Sequence, residues 1–95
     1  MDKRKVYLST AFGRKLKKLK KQEKTELDNA VLDILNDPSI GEGKVGDLLG
    51  VFVHKFKVNK QLILLSYTYD KSEINLLAFG SHENFYRDLK KYKKA

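Results

Sequence analysis

The segment that begins at Gly80 holds a histidine and a tyrosine at a spacing suited to proton transfer. His82 follows Gly80-Ser81, and Tyr86 stands four residues later. On a helix, residues four positions apart are neighbours, so the imidazole and the phenol would lie side by side. The positive end of the helix dipole disfavours the imidazolium, so a neutral His82 could accept a proton near pH 7. We therefore predict a general acid or base at His82; a cap residue at a strand-to-helix junction is the alternative.

Two lysines in the stretch 51–58 could hold an anion. This stretch has the pattern of a β-strand, in which alternate side chains point to opposite faces. One face carries mainly apolar residues and should face the core: Phe52, His54, Phe56 and Val58. Lys55 and Lys57 would then share the open face, ~7 Å apart, where two ammonium groups repel one another unless an anion lies between them. A phosphate clamp and an ordinary solvated sheet face fit this spacing equally well.

Together these side chains comprise the groups that RNA cleavage needs. The 2′-hydroxyl must lose a proton, the charge of the phosphorane must be stabilised, and the 5′-oxygen must gain a proton. His54 is expected to be a packed, hydrogen-bonded core residue rather than a catalyst, because phenylalanines flank it. The chain has no cysteine and no close cluster of histidine and carboxylate. We therefore expect no metal site and no cofactor.

Charge is distributed unevenly along the chain. Twenty Lys and Arg residues against twelve Asp and Glu give a net charge of +8. The basic residues concentrate in residues 3–24 and beyond residue 86, whereas the charged residues within 26–47 are mostly acidic. Such clustering is expected of a polyanion binder, although a solvated lysine-rich helix face gives the same pattern. The residues we predict to contact RNA are Arg14, Lys17, Lys18, Lys21, Arg87, Lys90 and Lys91.

The first half of the chain predicts a strand and two helices. Residues 5–8 form the strand, and Ser9 or Thr10 can cap a helix whose apolar stripe is Phe12, Leu16 and Leu19. A second helix is predicted from about Lys24, with residues 25–28 as a capping box, and it should end before Pro38. The glycine-rich residues 39–50 are predicted to be a loop that leads from helix to sheet.

The second half predicts an antiparallel meander. Three strands are expected at 51–58, 61–69 and 73–79, joined by two short polar turns. Gly80-Ser81 should end the last strand, and a terminal helix should follow over 82–92. The expected fold is a single α+β domain over residues 1–95, with helices on one face of a small sheet. No apolar stretch approaches the ~20 residues that cross a membrane, so we expect a soluble, cytoplasmic protein.

Across these motifs the chain resembles the RelE/ParE superfamily of bacterial toxin–antitoxin toxins. The resemblance covers the basic first helix (FGRKLKKLKK), the second helix, the loop GEGKVGDLLG, the strand VHKFKV and the ending LLAFGSHENFY. RelE-type toxins carry a Lys-apolar-Lys pattern after the loop, which Lys55-Phe56-Lys57 reproduces. YafQ-type toxins end in Gly-Thr-His followed four residues later by an aromatic, which His82 and Tyr86 reproduce. The resemblance implies a RelE-like fold.

The resemblance also implies an activity. RelE-like and YafQ-like toxins are ribosome-dependent mRNA endoribonucleases that need no metal. His82 is then expected to be the general acid or base, Lys55 and Lys57 the phosphate stabilisers, and Tyr86 a base-stacking or orienting ring. RelE-type toxins place an arginine in the following strand, where this chain has residues 63–65, Ile-Leu-Leu.

Other readings and partners follow from the same resemblance. ParE-type toxins inhibit DNA gyrase without cutting RNA, and they usually lack the terminal pair of histidine and aromatic, so that activity ranks second. A non-catalytic RNA- or ribosome-binding module ranks third. A cognate antitoxin encoded beside this gene is expected as a partner, together with mRNA and the ribosome, and no membrane is expected. An acidic or amphipathic segment of the antitoxin would cover the basic surface.

Overall fold

A five-stranded sheet forms the centre of the computed structural model, which describes residues 4–81. The strand order is β1-β5-β4-β3-β2; β1 is parallel to β5, and every other pair is antiparallel. This α+β architecture confirms the predicted fold class. The strands are β1 (Lys5–Leu8), β2 (Glu42–Gly43), β3 (Phe52–Val58), β4 (Gln61–Tyr69) and β5 (Glu73–Ser81).

Tight turns fix the register of the meander. Asn59 and Lys60, between β3 and β4, both have positive φ angles, 50° and 72°. A two-residue hairpin turn requires this conformation, and its twist matches that of the flanking strands. Between β4 and β5 the Asp70 carboxylate accepts hydrogen bonds from the backbone N–H groups of Ser72 and Glu73, at 2.8 and 3.0 Å. These turns confirm the predicted antiparallel pairing of the three strands.

Two helices, α1 (Thr10–Leu16) and α2 (Lys21–Asn36), pack on one side of the sheet, which we call the helix face. Ser9 is the N-cap of α1, as predicted: its Oγ accepts a hydrogen bond from the Phe12 N–H at 3.0 Å. The same hydroxyl donates to the Leu77 carbonyl of β5 at 2.7 Å. One side chain therefore starts the helix and fixes it to the sheet.

The predicted start of α2 is wrong by three residues. The helix begins at Lys21, where the Glu23 carboxylate accepts a hydrogen bond from the Lys20 N–H at 2.9 Å. The predicted capping box over residues 25–28 does not cap, because Thr25 lies inside the helix and donates to the Lys21 carbonyl. Residues 21–24 are good helix formers, so nothing delays the helix until Lys24. Its end at Asn36, before Pro38, confirms the prediction.

The main core lies between the helices and the sheet. It joins Phe12, Leu27 and Ile34 to Leu65, Tyr67, Ile74, Leu76 and Phe79. Tyr67 is fully buried, and its hydroxyl donates to the Pro38 carbonyl at 2.5 Å and accepts from the Gly41 N–H at 3.0 Å. Burial raises the pKa of this phenol. The segment that follows α2 is thereby held against the sheet.

A second, smaller core lies on the other side of the sheet, which we call the loop face. Leu48 and Val51 pack there with Val53, Leu64 and Leu77. The predicted loop 39–50 is therefore more ordered than expected. It contains the short strand β2 and two turns of 3₁₀-helix, Pro38–Ile40 and Gly46–Leu48. This segment folds over the first half of β3. The face of β3 that was predicted to be open is therefore exposed to solvent only in the second half of the strand.

The last strand continues beyond its predicted end. Gly80 pairs with Leu64 and Ser81 pairs with Ile63, so Gly80-Ser81 does not stop β5. A glycine here serves close approach, because a Cβ at position 80 would lie 2.6 Å from Lys15 Nζ. The predicted terminal helix, 82–92, lies outside the described residues. Within residues 4–81, neither helix has the length and apolar character needed to span a membrane.

Candidate functional site

Lys55 and Lys57 lie next to each other on the loop face of β3, and both side chains are exposed. Their partners across the β3–β4 pair are Leu64 and Leu62. Leu64 is fully buried in the second core, and Leu62 packs against it. The two ammonium groups therefore stand on an apolar base provided by the neighbouring strand.

A carboxylate that the sequence reasoning missed adjoins these lysines. Glu42 of β2 is the register partner of Val53, which places it on the loop face near Lys55. It accepts a hydrogen bond from Lys44 Nζ at 3.1 Å. The Lys44 hydrogen bond and charge, with a smaller contribution from the Lys55 charge, lower the pKa of Glu42. We refer to Glu42, Lys44, Lys55 and Lys57 as the loop-face cluster.

The cluster is suited to binding an anion beside a fixed negative charge. Its lysines outnumber its single carboxylate, so the group carries net positive charge at neutral pH. A carboxylate with a lowered pKa is a weak proton acceptor, so Glu42 is better placed to orient the lysines than to remove a proton. Sequence reasoning assigned this segment to a loop, because a strand of two residues carries no periodicity that could reveal it.

The end of β5 lies close to this cluster. Gly80 pairs with Leu64, which pairs with Lys55, so these residues form one row across the sheet. Ser81 lies in the adjacent row, with Ile63 between it and Phe56. Two strand spacings separate Ser81 from β3, a distance of ~10 Å. The predicted catalytic residues His82 and Tyr86 lie outside the described residues.

The predicted RNA-contacting residues of the first half of the chain lie on the other side of the sheet. Arg14, Lys17, Lys18 and Lys21 are all exposed, in α1, the following turn and the start of α2. The helices cover the helix face, whereas the loop-face cluster occupies the opposite face. The structure therefore does not bring these four residues together with Lys55 and Lys57. Arg87, Lys90 and Lys91 lie outside the described residues.

One lysine of the basic first helix contacts the sheet. Lys15 Nζ donates a hydrogen bond to the Phe79 carbonyl at 2.6 Å and lies 5.1 Å from the centre of the Phe79 ring. It borders a half-open pocket of about 160 Å³ on the helix face. The other residues that line the pocket are Leu19, Glu23, Leu27, Phe56, Val58, Gln61, Ile63, Phe79, Gly80 and Ser81. Lys15 thus binds the end of β5, a role that helical spacing alone does not reveal.

His54 lies on the helix face, away from the loop-face cluster. It is half-buried, and its ring stacks near that of Phe56, with 6.4 Å between ring centres and 23° between planes. Burial lowers the pKa of the imidazole, and the charge of Asp33 opposes this effect. The contact with Phe56 agrees with the expectation of a packed ring, but His54 is half-buried and belongs to neither core cluster.

Sequence comparison identifies one family. The profile described as "ParE-like toxin of type II bacterial toxin-antitoxin system" matches residues 6–90, most of the chain. Among functionally curated proteins, no sequence matches significantly.

Similar solved structures are RelE toxins of E. coli. The toxin in the intact E. coli RelBE toxin–antitoxin complex has a TM-score of 0.67 and 17% identity, over 84% of this chain and 98% of that chain. A RelE double mutant in the free state has a TM-score of 0.69 and 16% identity, over 93% and 90%. The same mutant with a RelB peptide gives 0.67 and 16%, over 85% of each chain. At these identities the likeness establishes a shared fold.

Proposed function

Because the chain belongs to the ParE-like toxin family of type II bacterial toxin–antitoxin systems, we propose that it is an endoribonuclease that cuts mRNA on the ribosome. Translation is then the process it inhibits, and the cytoplasm is where it acts. The observation that carries the proposal is the loop-face cluster. In it Lys55 and Lys57 are exposed side by side on β3, close to the end of β5.

The cluster supplies the electrostatic part of RNA cleavage. Attack of the 2′-hydroxyl oxygen on phosphorus adds negative charge to the non-bridging oxygens. Adjacent ammonium groups stabilise that charge more than they stabilise the substrate. The positive charge of Lys55 and Lys57 is what this step uses, so the reaction requires no metal.

Proton transfer is assigned to the residue that follows β5. His82 follows Ser81 directly, and consecutive Cα atoms are ~3.8 Å apart. Ser81 itself lies two strands away from β3. An imidazole can remove the 2′-hydroxyl proton or protonate the 5′-oxygen, and we assign to the phenol of Tyr86, four residues later in sequence, the role of orienting the base. The proposed catalytic set is therefore Lys55, Lys57, His82 and Tyr86.

The exposed lysines and arginine on the helix face serve a separate purpose in this proposal. Contacts to rRNA phosphates by Arg14, Lys17, Lys18 and Lys21 would hold the toxin on the ribosome and weaken as salt rises. Because they lie across the sheet from the loop-face cluster, the ribosome would contact one face while mRNA enters the other. Arg87, Lys90 and Lys91 are assigned to the same binding role from their charge.

Expression of single variants tests the nuclease. Lys55→Ala and Lys57→Ala should each relieve growth arrest and reduce mRNA cut sites, detected by primer extension, by about ten- to a thousandfold. Lys71→Ala, which removes the same charge from an exposed turn, is the matched control and should remain toxic. Full cleavage by Lys55→Ala, or arrest by the parent chain with messages intact, would refute the proposal.

A gyrase inhibitor without nuclease activity is the second candidate. The observation that favours it is the apolar base of the cluster, since β4 offers Leu62 and Leu64 rather than a further cation. That function predicts trapped gyrase–DNA complexes and induction of the SOS response, with messages uncut. Measuring both readouts after expression of the parent chain separates the two activities.

A further inference from the structure

The outer edge of β1 offers unpaired backbone groups. The Lys5 N–H donates to the Ser72 carbonyl and the Ser9 N–H to the Leu76 carbonyl, both at 3.0 Å. Alternate residues of a strand direct their N–H and C=O groups to opposite edges. Lys5, Tyr7 and Ser9 therefore face β5, whereas Val6 and Leu8 direct their backbone groups away from it. Within residues 4–81, no strand pairs with that edge.

The side chains of β1 are apolar and exposed. Val6, Tyr7 and Leu8 are 39%, 49% and 48% exposed. Val6 is the register partner of Ile74 and Leu8 that of Leu76, both of which belong to the main core. Val6 and Leu8 thus continue the core row to the rim of the sheet, where both side chains are partly exposed among residues 4–81. A further strand with apolar residues at alternate positions would extend that row.

The opposite edge of the sheet differs. There β2 has only two residues, Glu42 and Gly43, and the carboxylate is exposed. Short edge strands and charged side chains prevent unintended strand pairing. β1 is also short, with four residues, and Lys5 stands at its beginning, but the following Val6, Tyr7 and Leu8 carry no charge. An uncharged apolar edge with unpaired backbone groups is a surface on which an extended segment of another chain can pair.

We propose that the outer edge of β1 binds an extended segment of the antitoxin, which pairs with Val6 and Leu8 and adds a sixth strand to the sheet. This inference rests on the proposed toxin–antitoxin function only for the identity of the partner. The segment should carry apolar residues at alternate positions, which pack beside Val6 and Leu8 on the helix face. Main-chain hydrogen bonds supply affinity in this mode of recognition, and alternate side chains supply specificity.

Charge favours an acidic partner over a second copy of the chain. Each copy carries a net charge of +8, so pairing two β1 edges would bring like charges together over only four residues of strand. An acidic segment gains from the same field, with Lys5 and Arg4 at the beginning of the strand. The two possibilities differ in stoichiometry, which analytical ultracentrifugation of the free chain measures.

Hydrogen exchange at single amides is the direct test. The chain is co-expressed with the antitoxin encoded beside its gene, and exchange is followed by NMR in the free chain and in the saturated complex. The Val6 and Leu8 amides should exchange rapidly in the free chain and slow by about a hundredfold or more in the complex. The Tyr7 amide, which faces β5, should be protected in both. Unchanged exchange at Val6 and Leu8 in the complex would overturn the proposal.

A proline substitution tests the backbone contribution. Val6→Pro removes an N–H group that β5 does not use, and edge strands accept proline at such positions. Antitoxin affinity should fall by about tenfold or more. Val6→Thr keeps the N–H and the branched shape, so its affinity should change by less than about threefold. Protection of the Tyr7 amide in Val6→Pro checks that β1 still pairs with β5.

These outcomes are independent of RNA cleavage. Equal affinities of Val6→Pro and Val6→Thr would exclude strand addition, whether or not the chain proves to be a nuclease. Loss of cleavage activity in the expression test would leave the exchange pattern unaffected. A free chain that dimerises, with Val6 and Leu8 protected in the absence of antitoxin, would instead assign the edge to a second copy.

Discussion

Lys55 lies directly opposite Leu64 in the β3–β4 pair, so an exposed ammonium group stands beside a fully buried leucine. Lys57 has the same relationship to Leu62. Among residues 4–81, the cations of the loop-face cluster come from β3 and from Lys44, which follows β2, and β4 contributes an apolar wall. In the proposed mechanism, this arrangement concentrates the electrostatic contribution to catalysis on few residues, each of which should be costly to remove.

The first prediction concerns the electrostatics of the loop-face cluster, independently of activity. Replacing Lys44 with Met should raise the pKa of Glu42, because the Lys44 hydrogen bond and charge are the main reasons that it is low. Lys55→Met should raise it less, since Lys55 contributes only through its charge. NMR titration of the Glu42 carboxyl group measures both changes.

The control for this titration is Lys60→Met, in the exposed β3–β4 turn. It should leave the Glu42 titration unchanged. A Lys55→Met variant that leaves it unchanged as well would mean that the Lys55 ammonium is too remote from Glu42 to share an anion with Lys44.

The second prediction tests the apolar wall. Leu64→Ala should lower the free energy of unfolding by about 2–5 kcal/mol, because it removes a side chain that is fully buried. Leu32→Ala, at a position that is 55% exposed, should change stability by less than about 0.5 kcal/mol. Urea denaturation monitored by circular dichroism measures both. Similar costs at the two positions would contradict the second core.

The strands of the meander could be predicted because alternation and two polar turns define them locally. The strand β2 could not, since two residues carry no periodicity, and its pairing with β3 depends on how the loop returns. The burial of Val53 could not be predicted either. Leu48 packs against it from a segment whose sequence shows no helical or strand periodicity.

The residues of the candidate site likewise fall into those that local spacing predicts and those that only tertiary contacts place. Alternation within one strand was enough to place Lys55 and Lys57 together, and they are together in the structure. Glu42 joins them through tertiary pairing, which sequence spacing does not show. Helical spacing did not single out Lys15. Its contact with β5 depends on the position of the Phe79 carbonyl, 64 residues away in sequence.

The third prediction concerns the contact between Lys15 and the end of β5. Gly80→Ala should lower the free energy of unfolding by about 1 kcal/mol, because the new Cβ would displace Lys15 Nζ from the Phe79 carbonyl. In a Lys15→Ala background that conflict is absent. The same change should then be neutral or stabilising, since alanine restricts the unfolded chain more than glycine does.

A double-mutant cycle in urea measures this coupling. Additive effects of Lys15→Ala and Gly80→Ala would show that Lys15 does not hold this strand. Lys18→Ala serves as the matched background, because Lys18 is an exposed lysine of the adjoining turn. Its combination with Gly80→Ala should be additive.

The fourth prediction uses the buried phenol of Tyr67. Tyr67→Phe removes the donor to the Pro38 carbonyl and the acceptor for the Gly41 N–H. It should lower the free energy of unfolding by about 1–3 kcal/mol, because these backbone groups lose their partner. The half-buried Tyr69 is the control, and Tyr69→Phe should have a smaller effect.

The same phenol gives stability a pH dependence at alkaline pH. Burial raises the pKa of Tyr67 above its ordinary value of 10.0 in the folded chain, whereas the unfolded chain ionises near the ordinary value. The unfolded state then binds fewer protons, so the contribution is complete below about pH 10 and is lost as pH rises through the raised pKa. Unfolding free energies measured from pH 8 to 11 should decline less steeply for Tyr67→Phe than for the parent chain. Equal slopes would show that Tyr67 does not carry this dependence.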